Sequence, residues 1–378
     1  MLELTKAEAR RMRLVAQGLA RGGRAGGAAG SAAGRTSSGG ASATAGRTPV
    51  EVVRRMVAMQ GQDLRQVLRA IAIRSAAGTA VADVRAAFDR GELVRSWAMR
   101  GTLFVSTPQD LAVLHGAVAE RMRRQEWRMC TERGIDEATA ARAAAVATAA
   151  LAAGPMRRSD LLAAWQAAGI ETGGGNGYHL LALLAYDELV RFGPFAATGA
   201  GDREQLLVGG AAPAVTAPQA ALDEALVRFA IARGPVAADD AAWWLGTGRV
   251  AVRASLQRAV AAGRLAEAEV AGERMVLEPG SQPARTTGVT LAPGFDEWFL
   301  GYRDRSFTAS PAALAAILPG RNGVFRPMVL VDGRTVGSWR IPIAKGVPAG
   351  EPRLELAEAL PAARQRQIER ALARWPHA

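Results

Sequence analysis

The segment MQGQD, from Met59 to Asp63, places the side-chain amides of Gln60 and Gln62 two residues apart. A glutamine amide accepts a hydrogen bond through its oxygen and donates through its nitrogen, so it can position water or a sugar without a shifted pKa. No cysteine, histidine or serine that could act as a nucleophile stands beside the pair. If the pair acts in a reaction, it would therefore act by positioning water or a sugar rather than as a nucleophile. Considered alone, however, two such glutamines are more typical of surface or loop amides.

The elements around the pair limit its conformation. Residues i and i+2 project from one face of an extended segment but lie well apart around a helix. A helical pattern precedes Met59, and another, LRQVLRAIAIRS, begins at Leu64. Chemistry that uses both amides therefore predicts that residues 60–62 are extended or looped. Asp63 is the nearest carboxylate, and it could serve as a helper base or, as the following helix favours, as the N-cap of that helix.

Arginine dominates the charge of the chain, which has 47 Lys and Arg residues against 35 Asp and Glu and a net charge of +12. Lys6 and Lys345 are the only lysines. Because a guanidinium makes planar, bidentate contacts to phosphate and guanine, this balance favours a nucleic-acid partner over a membrane. A genome biased towards Ala, Gly and Arg codons is the alternative explanation.

Cysteine and histidine are too sparse for a disulfide framework or a metal centre. Cys130 is the single cysteine, and His115, His179 and His377 lack ligand spacing. The N-terminal sequence MLELTKAEARRMRLVAQGLA is charged and helical in period, which is typical of neither a signal peptide nor a membrane span. We expect a cytoplasmic protein, with no metal, no cofactor and no membrane partner.

A pattern of short helices followed by a β-hairpin recurs three times. The three hairpin regions are DRGELVRSWAMRGTLFVST, YHLLALLAYDELVRFGPF with EQLLVGG, and ASLQRAVAAGRLAEAEVAGERMVLEP. Helices followed by a hairpin form the winged-helix arrangement. After Pro279 the pattern becomes β, with the Asp-Gly hairpin signal in VDGRTVG. The predicted fold class is α+β, mainly α, with three tandem winged-helix units and a small C-terminal β-domain.

The predicted domains are residues 1–130, 131–215, 216–282 and 283–378, and the last of these closes with a helix. Residues 21–48 consist of Gly, Ala, Ser, Thr and Arg alone. This composition has nothing to bury, so the first unit is predicted to carry a disordered insertion there.

Four separated motifs together resemble one known family. They are MQGQD, VRSWAMRGTLFVSTPQDL, APGFDEWFLGYRDRS and NGVFRPMVLVDGRTVGSWR, in that order along the chain. This combination is similar to the bacterial winged-helix DNA glycosylases of the AlkZ and YcaQ type. The resemblance implies tandem winged helices that cradle duplex DNA and remove bases alkylated at purine nitrogens, including crosslinked ones.

The resemblance also implies site residues. Gln60 and Gln62 match the Gln-x-Gln form of the AlkZ branch, whereas the YcaQ branch ends that motif in Asp. Two positions depart from the family pattern: Gly61 replaces an aliphatic residue, and Phe104 stands where many relatives have His. Gly61 could loosen the positioning of the two side-chain amides, and Phe104 cannot make the polar contact that a histidine could make from position 104.

Several arginines are candidates for contact with DNA. The aromatic run before GYRDRS is predicted to be a strand, and after it Arg303 and Arg305 could bind phosphates near the lesion, with Asp304 orienting one of them or a water molecule. The alternative is a buried Arg-Asp pair that ties the β-domain to the first winged helix. Arg100 is open to the same two interpretations. Arg253 lies on the polar side of a candidate recognition helix, where a solvated face is the alternative.

An alkylated purine changes what a glycosylase needs. Ordinary glycoside hydrolysis uses paired carboxylates, but an N7-alkylguanine already bears positive charge and leaves as a neutral base without a general acid. The resemblance therefore implies a monofunctional DNA glycosylase, a monomer acting on double-stranded DNA with alkylated bases, and this chemistry suits Gln60 and Gln62 as the residues that position water and the sugar cation. The alternative is a non-catalytic winged-helix DNA-binding protein or transcriptional regulator.

Overall fold

The computed structural model describes residues 1–20, 46–197, 204–210, 217–283, 288–320, 323–344, 347–348 and 350–375. Most of the predicted insertion at 21–48 lies outside these ranges. The helices are α1 (Lys6–Ala16), α2 (Pro49–Met56), α3 (Leu64–Ala72), α4 (Val81–Asp89), α5 (Pro108–Glu132), α6 (Glu137–Ala152), α7 (Arg158–Ala167), α8 (Asn176–Tyr186), α9 (Pro218–Arg233), α10 (Ala238–Leu245), α11 (Arg249–Ala261), α12 (Glu297–Leu300), α13 (Pro311–Ile317) and α14 (Ala362–Ala373). The strands are β1 (Leu2–Leu4), β2 (Met59–Gln60), β3 (Val94–Met99), β4 (Thr102–Ser106), β5 (Val190–Phe195), β6 (Gln205–Gly209), β7 (Ala266–Val270), β8 (Glu273–Leu277), β9 (Val289–Ala292), β10 (Met328–Val331), β11 (Arg334–Arg340), β12 (Ile343–Ala344), β13 (Val347–Pro348) and β14 (Arg353–Leu356).

Three groups of elements, each made of helices followed by a β-hairpin, follow one another along the chain, as the sequence predicts. Each group is called a succession below. The first is α2, α3, α4 and the β3–β4 hairpin, the second α6 to α8 with β5–β6, and the third α9 to α11 with β7–β8. Two helices of the first succession have side-chain N-caps: Thr48 caps α2 and Asp63 caps α3. The α+β class is confirmed, and the domain limits given above stay predictions.

The first two hairpins belong to one sheet, which the sequence does not reveal. Its strand order is β2-β4-β3-β5-β6, and every neighbouring pair is antiparallel. Gln60 at the end of β2 pairs with Phe104 of β4, so the sheet carries the glutamine segment on its edge. The long helix α5 follows β4 and packs against α8 and α9, which joins the three successions through a common core.

The N-terminal strand joins the third hairpin, because β1 runs parallel to β7. The C-terminal domain has a four-stranded sheet of order β14-β11-β10-β9 and a short β12–β13 hairpin. The predicted Asp-Gly turn is confirmed, with Asp332 and Gly333 at φ 51° and 78° between β10 and β11. No helix among the described residues is long and apolar enough to span a membrane.

One strand prediction in this domain is wrong. The aromatic run before GYRDRS is the short helix α12, not a strand. Asp296 begins the helix by accepting a hydrogen bond from the backbone nitrogen of Trp298 at 2.7 Å. All four residues of α12 are buried, and so short an apolar run fits a buried helix as well as a strand.

Candidate active site

Gln60 ends a strand and Gln62 lies in the bend after it, so residues 60–62 are extended and then looped, as the sequence predicts. Gln60 ends β2, and the backbone nitrogen of Gly61 donates to the carbonyl of Leu103 at 2.8 Å. Gln60 is 7% exposed while Gln62 is exposed, and Nε2 of Gln60 lies 3.4 Å from Oε1 of Gln62. Oε1 of Gln60 is buried and accepts no hydrogen bond from the described residues. The pair therefore holds one buried acceptor and one solvent-facing amide side by side.

Gly61 allows the segment to lie close to β4. A Cβ atom at this position would come 3.2 Å from both the carbonyl carbon of Phe104 and the nitrogen of Val105, and 3.3 Å from Cγ2 of Val105. On its other side, the carbonyl of Gly61 accepts a hydrogen bond from Nε of Arg95 at 2.7 Å. The glycine therefore replaces side-chain packing with direct backbone contact to β4.

Arg95 is a site residue that sequence reasoning missed. Besides Gly61, its guanidinium contacts Oε1 of Gln205 at 3.1 Å, so it links the glutamine segment to β6. Burial lowers the pKa of Arg95 to about 10, and the charge of Asp63 opposes that shift. An arginine at an inward strand position is the only sequence signal for it.

Glu297 is the second residue that the sequence did not reveal. Its Oε1 accepts a hydrogen bond from the backbone nitrogen of Gln60 at 2.8 Å. Its Oε2 accepts from Nη2 and Nε of Arg233, at 2.7 and 3.2 Å, and from Nε1 of Trp244 at 3.3 Å. Both charged side chains are almost fully buried, at 1% and 0% exposure. The carboxylate therefore fixes the main chain of Gln60 while Arg233 neutralises it.

Arg233 extends this anchor to the end of α2. Its Nη1 and Nη2 donate to the carbonyls of Met56 and Ala58, each at 3.0 Å. These two residues lead into Met59 and Gln60, so the same guanidinium holds the approach to β2 from the third succession of helices. The position of Gln60 thus depends on groups from α2, α9 and α12.

A second buried ion pair joins the C-terminal domain to the first succession. Arg74 binds Asp296 through two hydrogen bonds of 2.7 and 2.8 Å, and both side chains are at most 1% exposed. An Arg-Asp tie between these regions was one of the sequence-based interpretations of GYRDRS. It exists, but its members are Arg74 and Asp296 rather than Arg303, Asp304 and Arg305.

Asp63 takes the capping role that the sequence favours. Its Oδ1 accepts a hydrogen bond from the backbone nitrogen of Gln66 at 3.1 Å and so begins α3 directly after Gln62. Phe104 is fully buried in β4 beside Gln60. The hydrophobic side chain at 104 therefore belongs to the core beneath the site.

The arginines predicted to contact DNA fall into two groups. Arg100 and Arg305 both lie against the ring of Trp243, with their guanidinium carbons 4.4 and 5.4 Å from its centroid. Arg303 and Arg253 both pair with Asp239 of α10, at 2.6 and 3.9 Å. The two groups differ because the second is already partly neutralised by a carboxylate.

Two interpretations of GYRDRS need correction. Arg303 ties the C-terminal domain to α10 of the third succession, not to the first winged helix. Among the described residues, Asp304 pairs with no arginine, and its Oδ1 accepts from the backbone nitrogen and hydroxyl of Ser306, at 2.9 and 2.7 Å. These contacts close a local turn, and the contact between residues 239 and 303 depends on tertiary packing that no local pattern reveals.

Comparison with known proteins agrees with the resemblance inferred from the four motifs. The family model described as DNA glycosylase AlkZ-like matches residues 53–377. A search of curated proteins gives no match. The solved structure of Streptomyces sahachiroi DNA glycosylase AlkZ superimposes with a TM-score of 0.76 at 19% sequence identity, covering 100% of this chain and 97% of that chain, and this likeness shows a shared fold. Because the family model spans most of the chain, from the helix before Gln60 to the C-terminal domain that contacts it, the protein belongs to the AlkZ-like family of DNA glycosylases.

Proposed function

We propose that this glycosylase hydrolyses the N-glycosidic bond of N7-alkylated purines, including bulky adducts and interstrand crosslinks, and that Gln60 and Gln62 do the positioning. The observation that supports this most is the buried Oε1 of Gln60, which accepts no hydrogen bond from the described residues although the backbone of the same residue is fixed by Glu297. A rigidly held, unused acceptor beside an exposed amide suits a water molecule that must be held in one orientation.

The proposed reaction needs no general acid. The electrons of the C1′–N9 bond pass to the cationic alkylpurine, which leaves as a neutral base, and positive charge develops on the sugar. The oxygen of the positioned water then bonds to C1′ and releases one proton to solvent, with Asp63 as the nearest carboxylate along the chain to assist. Neutral amides fit this sequence of events because they place no extra unpaired charge in a partly dehydrated site.

The proposal also covers how the substrate is held. The partner is double-stranded DNA with alkylated bases, bound by a monomer in the cytoplasm, and Arg100, Arg303, Arg305 and Arg253 contact its backbone. Arginine contacts to phosphate position a protein on duplex DNA without selecting a sequence. Affinity for undamaged duplex is therefore expected to depend on salt rather than on base sequence.

A single-turnover base-excision assay tests the assignment of the glutamines. Duplex DNA would carry either N7-methylguanine or a nitrogen-mustard crosslink, and alkali would reveal abasic sites. The double variant Gln60→Ala and Gln62→Ala should lose base release by about 100-fold or more, because positioning and general-base effects are of that size. Its affinity for undamaged duplex should stay within about twofold, since neither residue carries charge.

A matched control is the double variant Gln166→Ala and Gln219→Ala, which removes two exposed amides that bond to Thr172 and Asp223. It should excise like the unaltered protein. Excision retained in the Gln60 and Gln62 double variant would place the chemistry elsewhere. No product from either substrate, together with a base-selective footprint on undamaged DNA, would favour the transcriptional regulator.

A further inference from the structure

Trp243 carries two guanidinium groups on one indole. The guanidinium carbon of Arg100 lies 4.4 Å from the ring centroid, and that of Arg305 lies 5.4 Å from it. Arg100 comes from the β3–β4 turn and Arg305 from the segment after α12, so two distant parts of the chain converge on a residue of α10. Arg305 also lies 4.6 Å from the ring of Phe299 and donates through Nε to the Phe299 carbonyl at 3.4 Å. A guanidinium held against aromatic rings keeps its terminal nitrogens for other partners.

The two cations lack a counter-charge. Both side chains are half-buried, and neither forms an ion pair with any residue that the structure describes. Glu297, the carboxylate whose charge acts on Arg100, is paired with Arg233. Burial lowers the pKa of Arg100 to about 10, an effect that Glu297 opposes and that the charges of Arg233 and Arg305 increase. The charge of Arg305 acts on Arg100, and both guanidinium groups lie against Trp243, so an anion that contacted both would stabilise the pair.

The backbone at Arg100 has a strained conformation. Arg100 and Gly101 form the two-residue turn of the β3–β4 hairpin with φ 55° and 69°. Such turns favour Asn-Gly or Asp-Gly, and a long side chain at the first position is unusual. Gly246, at the end of α10, makes room for this side chain, because a Cβ there would lie 2.9 Å from Cγ of Arg100. Strain of this kind concentrates at functional sites.

The pair also lies next to the glutamine segment. The guanidinium of Arg100 is 5.4 Å from the ring of Phe104, and Phe104 is the strand partner of Gln60. Arg100 therefore contacts the residue that pairs with Gln60 in the sheet.

We propose that Arg100 and Arg305, both stacked on Trp243, bind a single backbone phosphate of DNA beside the nucleotide on which Gln60 and Gln62 act. The inference rests on the proposed function only for the identity of the ligand. Two arginines on one phosphate form several charge-assisted hydrogen bonds at fixed geometry, which would anchor the strand next to the scissile bond.

The test is binding of a short undamaged duplex as a function of salt concentration, with Arg100→Asn, Arg305→Gln and the double variant. Each single variant should lower affinity about 5- to 10-fold at low salt. The double variant should reduce the slope of log affinity against log salt by about 0.9, the value for one phosphate on B-form DNA. A reduction of about 1.8 would mean two separate phosphates and would overturn the shared site, and an unchanged slope would overturn the site altogether.

Three features of the design keep the result interpretable. Arg264→Gln removes the same charge from an arginine already paired with Glu224 at 2.6 Å, and it should leave the slope unchanged. Asn suits the positive φ at position 100, so Arg100→Asn should fold; if it does not, Arg100→Lys, which keeps the charge but loses the planar fork, should lower affinity without changing the slope. Binding to undamaged DNA involves no base release, so this test and the excision assay fail independently.

Discussion

Glu297 acts on the main chain of Gln60 rather than on its side chain. A carboxylate that binds a backbone N–H restricts the whole residue and leaves the amide free for other partners. Its own charge is balanced by Arg233, so the site gains a fixed strand without gaining net charge. We therefore regard Glu297 as a positioning residue whose effect reaches the substrate through Gln60.

Glu297→Gln should destabilise the fold and slow base release. The amide can still accept from the Gln60 nitrogen, but it leaves the buried guanidinium of Arg233 unpaired, which costs about 3 to 5 kcal/mol. Chemical denaturation would measure the loss in free energy of unfolding, and the single-turnover assay would measure the rate at a temperature where the variant stays folded.

The double variant Glu297→Gln with Arg233→Gln separates the two effects. It removes both charges, so it should lose less stability than the sum of the single variants. Its excision rate should stay low, because Arg233 also holds the carbonyls of Met56 and Ala58. Additive losses in stability would show that the two side chains do not act as a pair.

Sequence reasoning identified only part of this site, for a physical reason. Gln60, Gln62 and the capping Asp63 lie within four residues, so their spacing is visible in the chain. Glu297 lies 237 residues from Gln60, and no local pattern records a contact at that separation. An acid inside the apolar run FDEWFL was a visible signal, because a buried carboxylate needs a partner.

At the scale of elements, β2 is a two-residue strand on the edge of the five-stranded sheet. Its pairing places Met59 opposite Val105 and Gln60 opposite Phe104. The contact continues into Gly61 because that residue has no side chain to separate the strands. Gly61 therefore brings the glutamine segment into direct backbone contact with β4.

Gly61→Ala should move the glutamine segment and lower stability by about 1 to 3 kcal/mol, the usual cost of overpacking. The added methyl would meet the backbone of Phe104 and Val105 at 3.2 Å, and backbone atoms in a paired strand cannot yield by rotation. Thermal denaturation and the excision rate together would measure the effect, and both should fall.

Gly248→Ala is the matched control. A Cβ at this position meets no atom within 4 Å, and φ is −69°, so the substitution adds no strain. Because Gly248 is the N-cap of α11 and alanine caps a helix less well, the variant should lose about 0.5 to 1 kcal/mol of stability, with no change in the excision rate. A Gly61→Ala variant that behaved like this control would show that β2 can move away from β4 without consequence.

The sequence predicted individual elements better than their assembly. Helical periodicity and hairpin turns indicated each succession of helices and β-hairpin, because these signals are local. The union of the first two hairpins in one sheet depends on the pairing of Arg95 with Phe192, and the strand β1 joins β7 across more than half of the chain. The run EWFL reads as a strand in the sequence because three apolar residues after one acid do not determine a period.

At the scale of the whole molecule, one small site depends on distant parts of the chain. β2 supplies Gln60, α9 and α10 supply Arg233 and Trp244, and α12 supplies Glu297. The ion pair between Arg74 and Asp296 holds α12 against the first succession. The proposed chemistry is done by neutral amides, whereas the proposed binding of DNA is done by charged arginines around them, so the two roles belong to different residues.

This separation predicts different responses to salt for binding and for excision. With a net charge of +12, the protein should bind undamaged duplex with an affinity that falls steeply as salt rises, because each phosphate contact releases counterions. Gln60 and Gln62 carry no charge, so the excision rate of the fully bound substrate should change little over the same range. Affinity would be measured by titration at several salt concentrations, and the rate by single-turnover excision at saturating protein. Duplexes of different base composition serve as controls and should bind alike. A rate that falls in parallel with affinity at saturation would place a solvent-screened charge in the chemical step and contradict the neutral mechanism.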